Sequence, residues 1–369
     1  MVRIYFWQTM LTPHMTAVAL SLSKNGYEIF YIAQSSLSKN RLELGWKTHD
    51  LHNIKVRIVR NKIYAKSIIL NSPSNSIHIC QGLRNNGIIS YVQKELTKKK
   101  LRQWLIIETI RDYGFLGLLR KIVYKFLFTL YGSNIEAILA IGWKTPMYLS
   151  EIGFNPKKIF PFSYFLQPPI NLDFKTKVKD APFRFIFIGS LLPGKNLDLL
   201  IKALYKLRNF KFELIVIGDG LCKKKWKKYA DDLIPNRTSW KGVIKMQEVY
   251  KFISQTNCLV LPSRHDGWGA VVSESLIAGV PAICSDACGV ADVVKASNYG
   301  AVFKSENLNE LVNKLKVILE RGPLKKHERY KLSEWSKKIT ADAGANYLIE
   351  IINYINGSAK YPITPWSKN

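Results

Sequence analysis

Acidic side chains are scarce in this sequence: 27 Asp and Glu face 55 Lys and Arg, which leaves a formal charge of +28. The surplus excludes a basic partner and favours an anionic one, whether nucleic acid, phospholipid headgroups or a sugar phosphate. Cysteine is equally thin. The five thiols, Cys80, Cys222, Cys258, Cys284 and Cys288, are odd in number and scattered among apolar residues. That excludes a disulfide framework and points to reduced thiols in a cytoplasmic protein. Cys284 and Cys288 form the one close pair, and no second pair or nearby His completes a tetrahedral set, so no metal is expected. No run reaches the roughly eighteen uncharged apolar residues that a spanning helix needs. The start, MVRIYFWQTMLTPHMTAVALSLSKNG, is broken by Pro13 and His14 and lacks a small-residue cleavage site, so secretion is not expected. Internal repeats, low-complexity segments and nucleic-acid recognition motifs are also missing.

What is present describes a folded enzyme-sized chain. With 369 residues and 47% hydrophobic content, two domains can each bury a core of their own. Short apolar runs alternate with amphipathic stretches: RIYFW, YEIFYIA, WLIIE, EAILAIG and KIFPF in the first half. FRFIFIG, FELIVIG, CLVLPS and VPAICSD make a second series. This alternation predicts an α/β protein of two doubly wound, Rossmann-like parallel sheets. FLQPPINLDFKTKVKDAP, rich in proline and charge, reads as a linker over 166–182. The expected organisation is therefore an N-terminal domain over 1–165, a second domain over 183–344, and a C-terminal helix and tail over 345–369 that could pack back on the first domain.

Doubly wound sheets bind ligands beyond the carboxyl ends of their strands, with phosphates at helix N-termini. After FRFIFIG, which ends in Gly189 and is followed by Ser190, a turn with Pro193 and Gly194 places Lys195 just before a helix. A cation is disfavoured at that end of a helix unless an anion meets it, so Lys195 is a candidate phosphate ligand. FELIVIG leads into Gly218-Asp219-Gly220, a tight turn that is weak evidence by itself. CLVLPS leads into RHDGWGAVVSESLIAGVP, where Gly267 and Gly269 bend the loop and a helix starts near Ala270. Its amides and dipole suit a diphosphate. Asp266 stands eight positions ahead of Glu274. Two carboxylates flanking a row of amides describe a sugar-nucleotide site, with hydroxyls at each end and phosphates between.

Pro262, Ser263, Asp266, Gly267, Trp268, Gly269 and Glu274, followed by Ala278, Gly279 and Pro281, resemble the donor-binding domain of glycosyltransferase family 4. FIGSLLPGKNLDLLIKAL and LIVIGDG with WKGVI are similar to other segments of that family, in the same order. The resemblance implies the two-domain GT-B fold with a deep interdomain cleft, and transfer with retention of anomeric configuration. It implies a nucleotide-sugar donor, by default a UDP-sugar, and no metal cofactor. Glu274 would hold the ribose hydroxyls, Asp266 the transferred sugar, the amides of Trp268, Gly269 and Ala270 the sugar and phosphate oxygens, and Lys195 the diphosphate. Gly242, Val243 and Ile244 would edge the base, and His78 is placed like the family's cleft histidine. Ser190 stands where members often carry Arg, and Asp266 where they often carry Glu. Arg264 is a candidate substitute for the missing guanidinium. The paired glycines of the family's first turn are replaced by TMLTPHM.

On the acceptor side the candidates are His14, in TPHM, and Glu108, ending WLIIE. Residues 111–132 carry Phe115, Leu119, Ile122, Phe126 and Leu130 at helical spacing among Arg111, Arg120, Lys121 and Lys125. A core helix explains that stripe. A helix lying in an anionic membrane interface explains it too, with each cation adding about 1 kcal/mol. The expected activity is a glycosyltransferase on the inner face of the cytoplasmic membrane, moving sugar to a lipid-linked glycan of lipopolysaccharide O-antigen or capsule. A sugar-nucleotide epimerase of the same fold and a basic nucleic-acid-binding protein are the alternatives.

Overall fold

A computed structural model describes residues 2–43, 46, 50–84, 86–110, 114–169 and 181–368. The chain divides into two compact units, Met1–Gln167 together with Ile339–Asn369, and Pro168–Lys338. Most of the expected linker, and Arg111 of the amphipathic stretch, lie outside the described residues.

The first unit is built on seven strands: β1 (Arg3–Met10), β2 (Glu28–Ser35), β3 (Lys55–Ile58), β4 (Ile77–Gln81), β5 (Arg102–Ile107), β6 (Ile135–Ile141) and β7 (Ile159–Phe162). They pair in the order β3-β2-β1-β4-β5-β6-β7, every neighbour parallel. Helices on both faces bury the central strands completely, so these read as near-continuous apolar runs; in β6 only Glu136 escapes burial. The edge strand β3 alternates instead, with Lys55 and Arg57 exposed, which discourages pairing with another chain.

The C-terminal residues complete this unit. The helix Ala341–Ile355 begins ahead of the expected 345 and buries Ala341, Gly344, Ala345, Leu348, Ile351 and Ile352 along one stripe. A Cβ at Gly344 would lie 2.4 Å from the Phe165 ring, so glycine is what allows this approach. Beyond the helix, the Tyr361 ring stacks on Phe160 at 5.2 Å and its hydroxyl donates to the Ile159 carbonyl.

The second unit holds β8 (Phe183–Ile188), β9 (Phe212–Ile217), β10 (Thr238–Gly242), β11 (Cys258–Leu261), β12 (Ala282–Ser285) and β13 (Ala301–Phe303). Their order is β10-β9-β8-β11-β12-β13, again all parallel. The helix Leu197–Lys206 packs on this sheet through Leu197, Leu200, Ile201 and Leu204, all fully buried. Each such side chain contributes roughly 2 kcal/mol of apolar burial. In both sheets the strand order reverses beside the first strand, at β1/β4 and at β8/β11. The loops leaving those strands are where this architecture holds ligands.

One helix departs from the core-helix expectation. Gly114–Tyr131 buries only Gly117 and Phe128, with Tyr124, Leu127 and Tyr131 half-buried against the core. Phe115, Leu119, Ile122, Phe126 and Leu130 face outward, Phe115 with 74% and Phe126 with 62% of its surface exposed. Leu116, Leu118 and Val123 are exposed beside them. The segment is apolar nearly all round, so its periodicity does not determine which stripe meets the core.

Candidate functional site

The loops leaving β8 and β11 meet because those strands are neighbours. From the β8 side, a single 3-10 turn, Pro193–Lys195, delivers Lys195, and Asn196 takes a left-handed φ of 56° to start the next helix. From the β11 side comes Pro262 to Gly269, braced by Cys284–Val290. The Asp266 amide donates to the Ala287 carbonyl, and Gly289 and Val290 donate to the carbonyls of Asp266 and Trp268. Trp268, the indole between two glycines, is an anchor. It is buried, and its Nε1 donates to Ser273 Oγ one turn into the helix Ala270–Ile277. Gly269 has a φ of 94°, and a Cβ there would lie 3.0 Å from Leu261, so the loop turns sharply into the helix only as glycine.

Three charged groups gather here. Lys195 Nζ and Asp266 Oδ2 form an ion pair at 2.5 Å, both side chains largely shielded from solvent. Glu274 is buried about one turn into the helix, and desolvation pushes its carboxyl up to about 7. No hydrogen bond or ion pair to a described residue engages that carboxylate. The Val272 amide donates to the Gly269 carbonyl, so at the start of the helix it is the amides ahead of Val272 that lack intrahelical acceptors, and the dipole points its positive end the same way.

Two groups had escaped sequence reading. The Tyr250 hydroxyl, on the helix Val249–Ser254, is buried without a hydrogen-bond partner, and the Glu274 charge adds to burial in raising it. The Asn196 amide, beside Lys195, is likewise buried with neither nitrogen nor oxygen satisfied. Unsatisfied buried groups cost free energy and mark places where a ligand or water can repay it. Nothing in EVYKFIS or GKNL distinguishes these two from ordinary core and cap residues.

Other candidates take different places. Gly218 has a φ of 136°, and a Cβ on it would fall 1.9 Å from the Gly189 carbonyl; it is a packing glycine between the β8 and β9 loops. Its amide donates to the Gly242 carbonyl. At Gly189 itself a Cβ would meet only ordinary contacts, 3.7 Å from Phe187 and 3.9 Å from Lys195. Ser190 is exposed just beyond it, and Gly242, Val243 and Ile244 leave β10 with Val243 exposed. The Arg264 guanidinium bonds Glu306 at 2.9 Å and the Pro193 carbonyl. Here it braces the Lys195 turn, in an ion pair with Glu306 whose two side chains are substantially exposed.

His78 requires correction. It lies in the middle of β4, fully buried, with Nδ1 accepting from Trp7 Nε1 at 3.1 Å and Nε2 2.9 Å from Ser76 Oγ. Its ring stacks on Tyr5 at 4.6 Å, and burial pushes it down to about 3. This is a neutral core histidine with both nitrogens engaged, unsuited to proton transfer or sugar contact. His14 starts the helix after β1, its ring 5.3 Å from both Trp46 and Tyr164. Glu108 is exposed at the end of β5, on a cavity described below. Among the described residues no cluster of three His, Cys, Asp or Glu side chains could hold a metal ion.

Residues 170–335 match the family model for glycosyl transferases group 1. This stretch is similar to a group 1 glycosyltransferase domain. The domain contains every charged group of the site just described. Over 237 residues, 60% of this chain, the sequence is 26% identical to an uncharacterized glycosyltransferase of Methanocaldococcus jannaschii, covering 66% of it. Over 42% of this chain it is 26% identical to an enzyme of Campylobacter jejuni, covering 44% of that enzyme. The latter is N-acetylgalactosamine-N,N'-diacetylbacillosaminyl-diphospho-undecaprenol 4-alpha-N-acetylgalactosaminyltransferase. The alignments span less than two thirds of either relative. Among solved structures, Anabaena HepE in complex with UDP superimposes with a TM-score of 0.72 at 14% identity, over 96% of this chain and 100% of that one. The lipopolysaccharide outer core galactosyltransferase WaaB does so with a TM-score of 0.68 at 19% identity, over 94% and 99%. The fold that carries the group 1 domain is GT-B, two parallel-strand α/β sheets of seven and six strands.

Proposed function

We propose that the chain is a retaining glycosyltransferase of family 4 that moves a sugar from a nucleotide-diphosphate sugar to a lipid-linked glycan. A UDP-sugar is the proposed donor, and bacterial lipopolysaccharide O-antigen or capsule the proposed product. The donor is assigned to the second domain, 183–344, and the acceptor to the first, 1–165. The carrying observation is the charged set at the β8/β11 switch point: Lys195 and Asp266 paired at the tip of the helix that buries Glu274.

In this reading the diphosphate displaces Asp266 from Lys195 and rests on the ammonium and the amides of Gly269 and Ala270. Freed, the Asp266 carboxylate accepts hydrogen bonds from the sugar hydroxyls. The ribose hydroxyls donate to Glu274, and the Tyr250 hydroxyl lies near enough to Glu274 to share them. In transfer the bond between the anomeric carbon and the diphosphate breaks through an oxocarbenium-like state, the acceptor hydroxyl oxygen bonds the anomeric carbon, and its proton passes to the departing phosphate, on which negative charge grows. A preorganised donor aimed at that charge is worth about 3 kcal/mol. The reading needs no metal, because Lys195 and the helix supply the positive potential.

The proposed location is the inner face of the cytoplasmic membrane, held peripherally. Supporting it, no helix among the described residues is long and apolar enough to cross a bilayer, while Gly114–Tyr131 exposes an apolar row free of acidic residues. The C. jejuni relative's name specifies a diphospho-undecaprenol acceptor, and the HepE structure holds UDP, which supports the lipid-linked and UDP assignments by analogy. Thermal stabilisation by a panel of nucleoside diphosphates, followed by product analysis with membrane-extracted acceptor, tests the proposal. UDP is expected to stabilise most, and the product to need acceptor. Conversion of the donor to an epimer without acceptor, or binding of single-stranded nucleic acid in place of nucleotides, would overturn it.

A further inference from the structure

A second polar cavity lies in the first unit, at the carboxyl ends of β4 and β5. Its volume is about 370 Å³, within the range of small-ligand sites, and Gly82, Arg84, Glu108, Thr109, Arg120 and Tyr124 line it. Arg84 and Arg120 come from different elements, the loop after β4 and the exposed helix, yet the positive charge of both acts on the Tyr124 hydroxyl. Arg84 makes no ion pair among the described residues. Two guanidinium groups converging on a phenol are a donor-rich set, suited to the several oxygens of a phosphoryl group, while the Thr109 hydroxyl donates to the Ile141 carbonyl. Among the described residues Glu108 is the one carboxylate on the lining, and it is exposed.

The surroundings specify what the phosphoryl group is attached to. Arg120 and Tyr124 are one turn apart on Gly114–Tyr131, and their neighbours at helical spacing, Leu116 and Val123, are exposed. The same helix exposes Phe115, Leu119, Ile122, Phe126 and Leu130, and carries no acidic residue. A contiguous apolar row of this size on a surface marks an interaction site. A cationic pocket and an exposed apolar row carried by one helix, through Arg120 and Tyr124 on the lining, match a ligand with a phosphate head and a hydrocarbon tail.

We propose that this cavity binds the diphosphate of the membrane-anchored acceptor, Arg84 and Arg120 gripping its oxygens while the exposed face of Gly114–Tyr131 lies among the lipid chains. The inference rests on the lipid-linked acceptor reading above and names the residues that select it. Glu108 is then beside the first sugar beyond the diphosphate, as a hydrogen-bond acceptor for its hydroxyls.

Flotation of the full chain with three vesicle types tests it: phosphatidylcholine alone, phosphatidylcholine with a long-chain polyprenyl diphosphate, and phosphatidylcholine with phosphatidylglycerol to equal charge. The polyprenyl diphosphate is expected to raise the bound fraction about tenfold over the equal-charge vesicles, since charge-assisted bidentate contacts add geometry to charge. Arg84→Gln and Arg120→Gln should each remove that preference while leaving phosphatidylglycerol binding in place. Phe126→Ser with Leu119→Ser should lower binding to every vesicle. Equal binding to the two charged vesicles, or an undiminished preference in both arginine variants, would overturn the proposal. Binding of inorganic pyrophosphate that Arg84→Gln abolishes, together with equal flotation on the two charged vesicles, would assign the pocket to a free anion and overturn the lipid part. UDP stabilisation, measured on the same samples, separates the two readings: its loss sinks the donor assignment, whereas its persistence without vesicle discrimination sinks this inference alone.

Discussion

The two sheets repeat one topology and differ at the corresponding loops. Beyond β8 and β11 the second unit gathers Lys195, Asp266 and Glu274 with glycine turns. Beyond β1 and β4 the first unit has no such gathering of charges among the described residues: the Thr9 amide and hydroxyl both bond Gln81 Oε1, His14 rests against aromatic rings, and the one cation of the β4 loop, Arg84, lines the cavity beside β5. Its buried histidine lies below, inside β4, as part of the core. The same backbone frame therefore holds a charged, desolvated site in one unit and a quiet switch point in the other, with the first unit's cations displaced towards β5 and the exposed helix. Position in the fold nominates a site, and side-chain chemistry decides whether one is there.

The widest separation is expected in turnover. Lys195→Met should lower kcat by about a hundredfold or more, the cost of one lost donor to a developing oxyanion. His78→Asn in the first unit should lower the melting temperature and leave kcat for the remaining folded enzyme within about twofold, because that ring is a core group and touches no reacting atom. A large kcat effect at His78, with folding intact, would break the comparison.

Next in size is Gly218→Ala. Its Cβ would overlap the Gly189 carbonyl at 1.9 Å in a backbone conformation that favours glycine, so the second unit should lose about 3 kcal/mol or more of stability. Denaturant unfolding reads this directly. Retained stability would show that the β8 and β9 loops can part.

The pH dependence sharpens the contrast further. Burial raises the Glu274 carboxyl from 4.5 to about 7, so between those values the native state holds a proton that the unfolded chain has lost. Stability contributed at this position is full below the unfolded value and falls as pH rises through 7, by roughly 3 kcal/mol at most. UDP affinity should move oppositely: the ionised carboxylate is the better acceptor for ribose hydroxyls, so binding tightens as pH rises through 7. Glu274→Gln should flatten both curves in calorimetric titrations. A pH-independent wild-type affinity would remove Glu274 from the nucleotide site. The smallest effect is expected for Gly189→Ala, whose Cβ meets only ordinary contacts, with a change within about 0.5 kcal/mol.

Much of this frame is legible in the residues themselves. Strands such as FRFIFIG and EAILAIG are continuous apolar runs because helices cover both faces, and DGWG before a helix marks a loop that must bend. Lys195, Asp266 and Glu274 could be nominated because their local turns dictate them. What escaped is set by partners far along the chain. His78 reads as a functional residue until Trp7 and Ser76 close on its two nitrogens. The pairing of Arg264 with Glu306, 42 residues further along, could not be read from the local sequence either. The helix Gly114–Tyr131 is apolar on every side, so only packing could choose which residues face out. The edge strand KVRI is short and half charged, and it vanishes among loop-like residues.

The segment Ile339–Asn369 has a consequence for biogenesis. Ile339–Asn369 belong to the unit that begins at the amino terminus, where Gly344 nests on Phe165 and the Tyr361 hydroxyl reaches the Ile159 carbonyl. During vectorial synthesis that half emerges first and waits, its groove against Phe165 uncovered, until the helix Ala341–Ile355 has followed. The second unit, contiguous in sequence, is under no such delay. A nascent chain stopped before Ile339 would therefore carry a finished second unit joined to an unsealed first one, which makes this segment a natural checkpoint on synthesis.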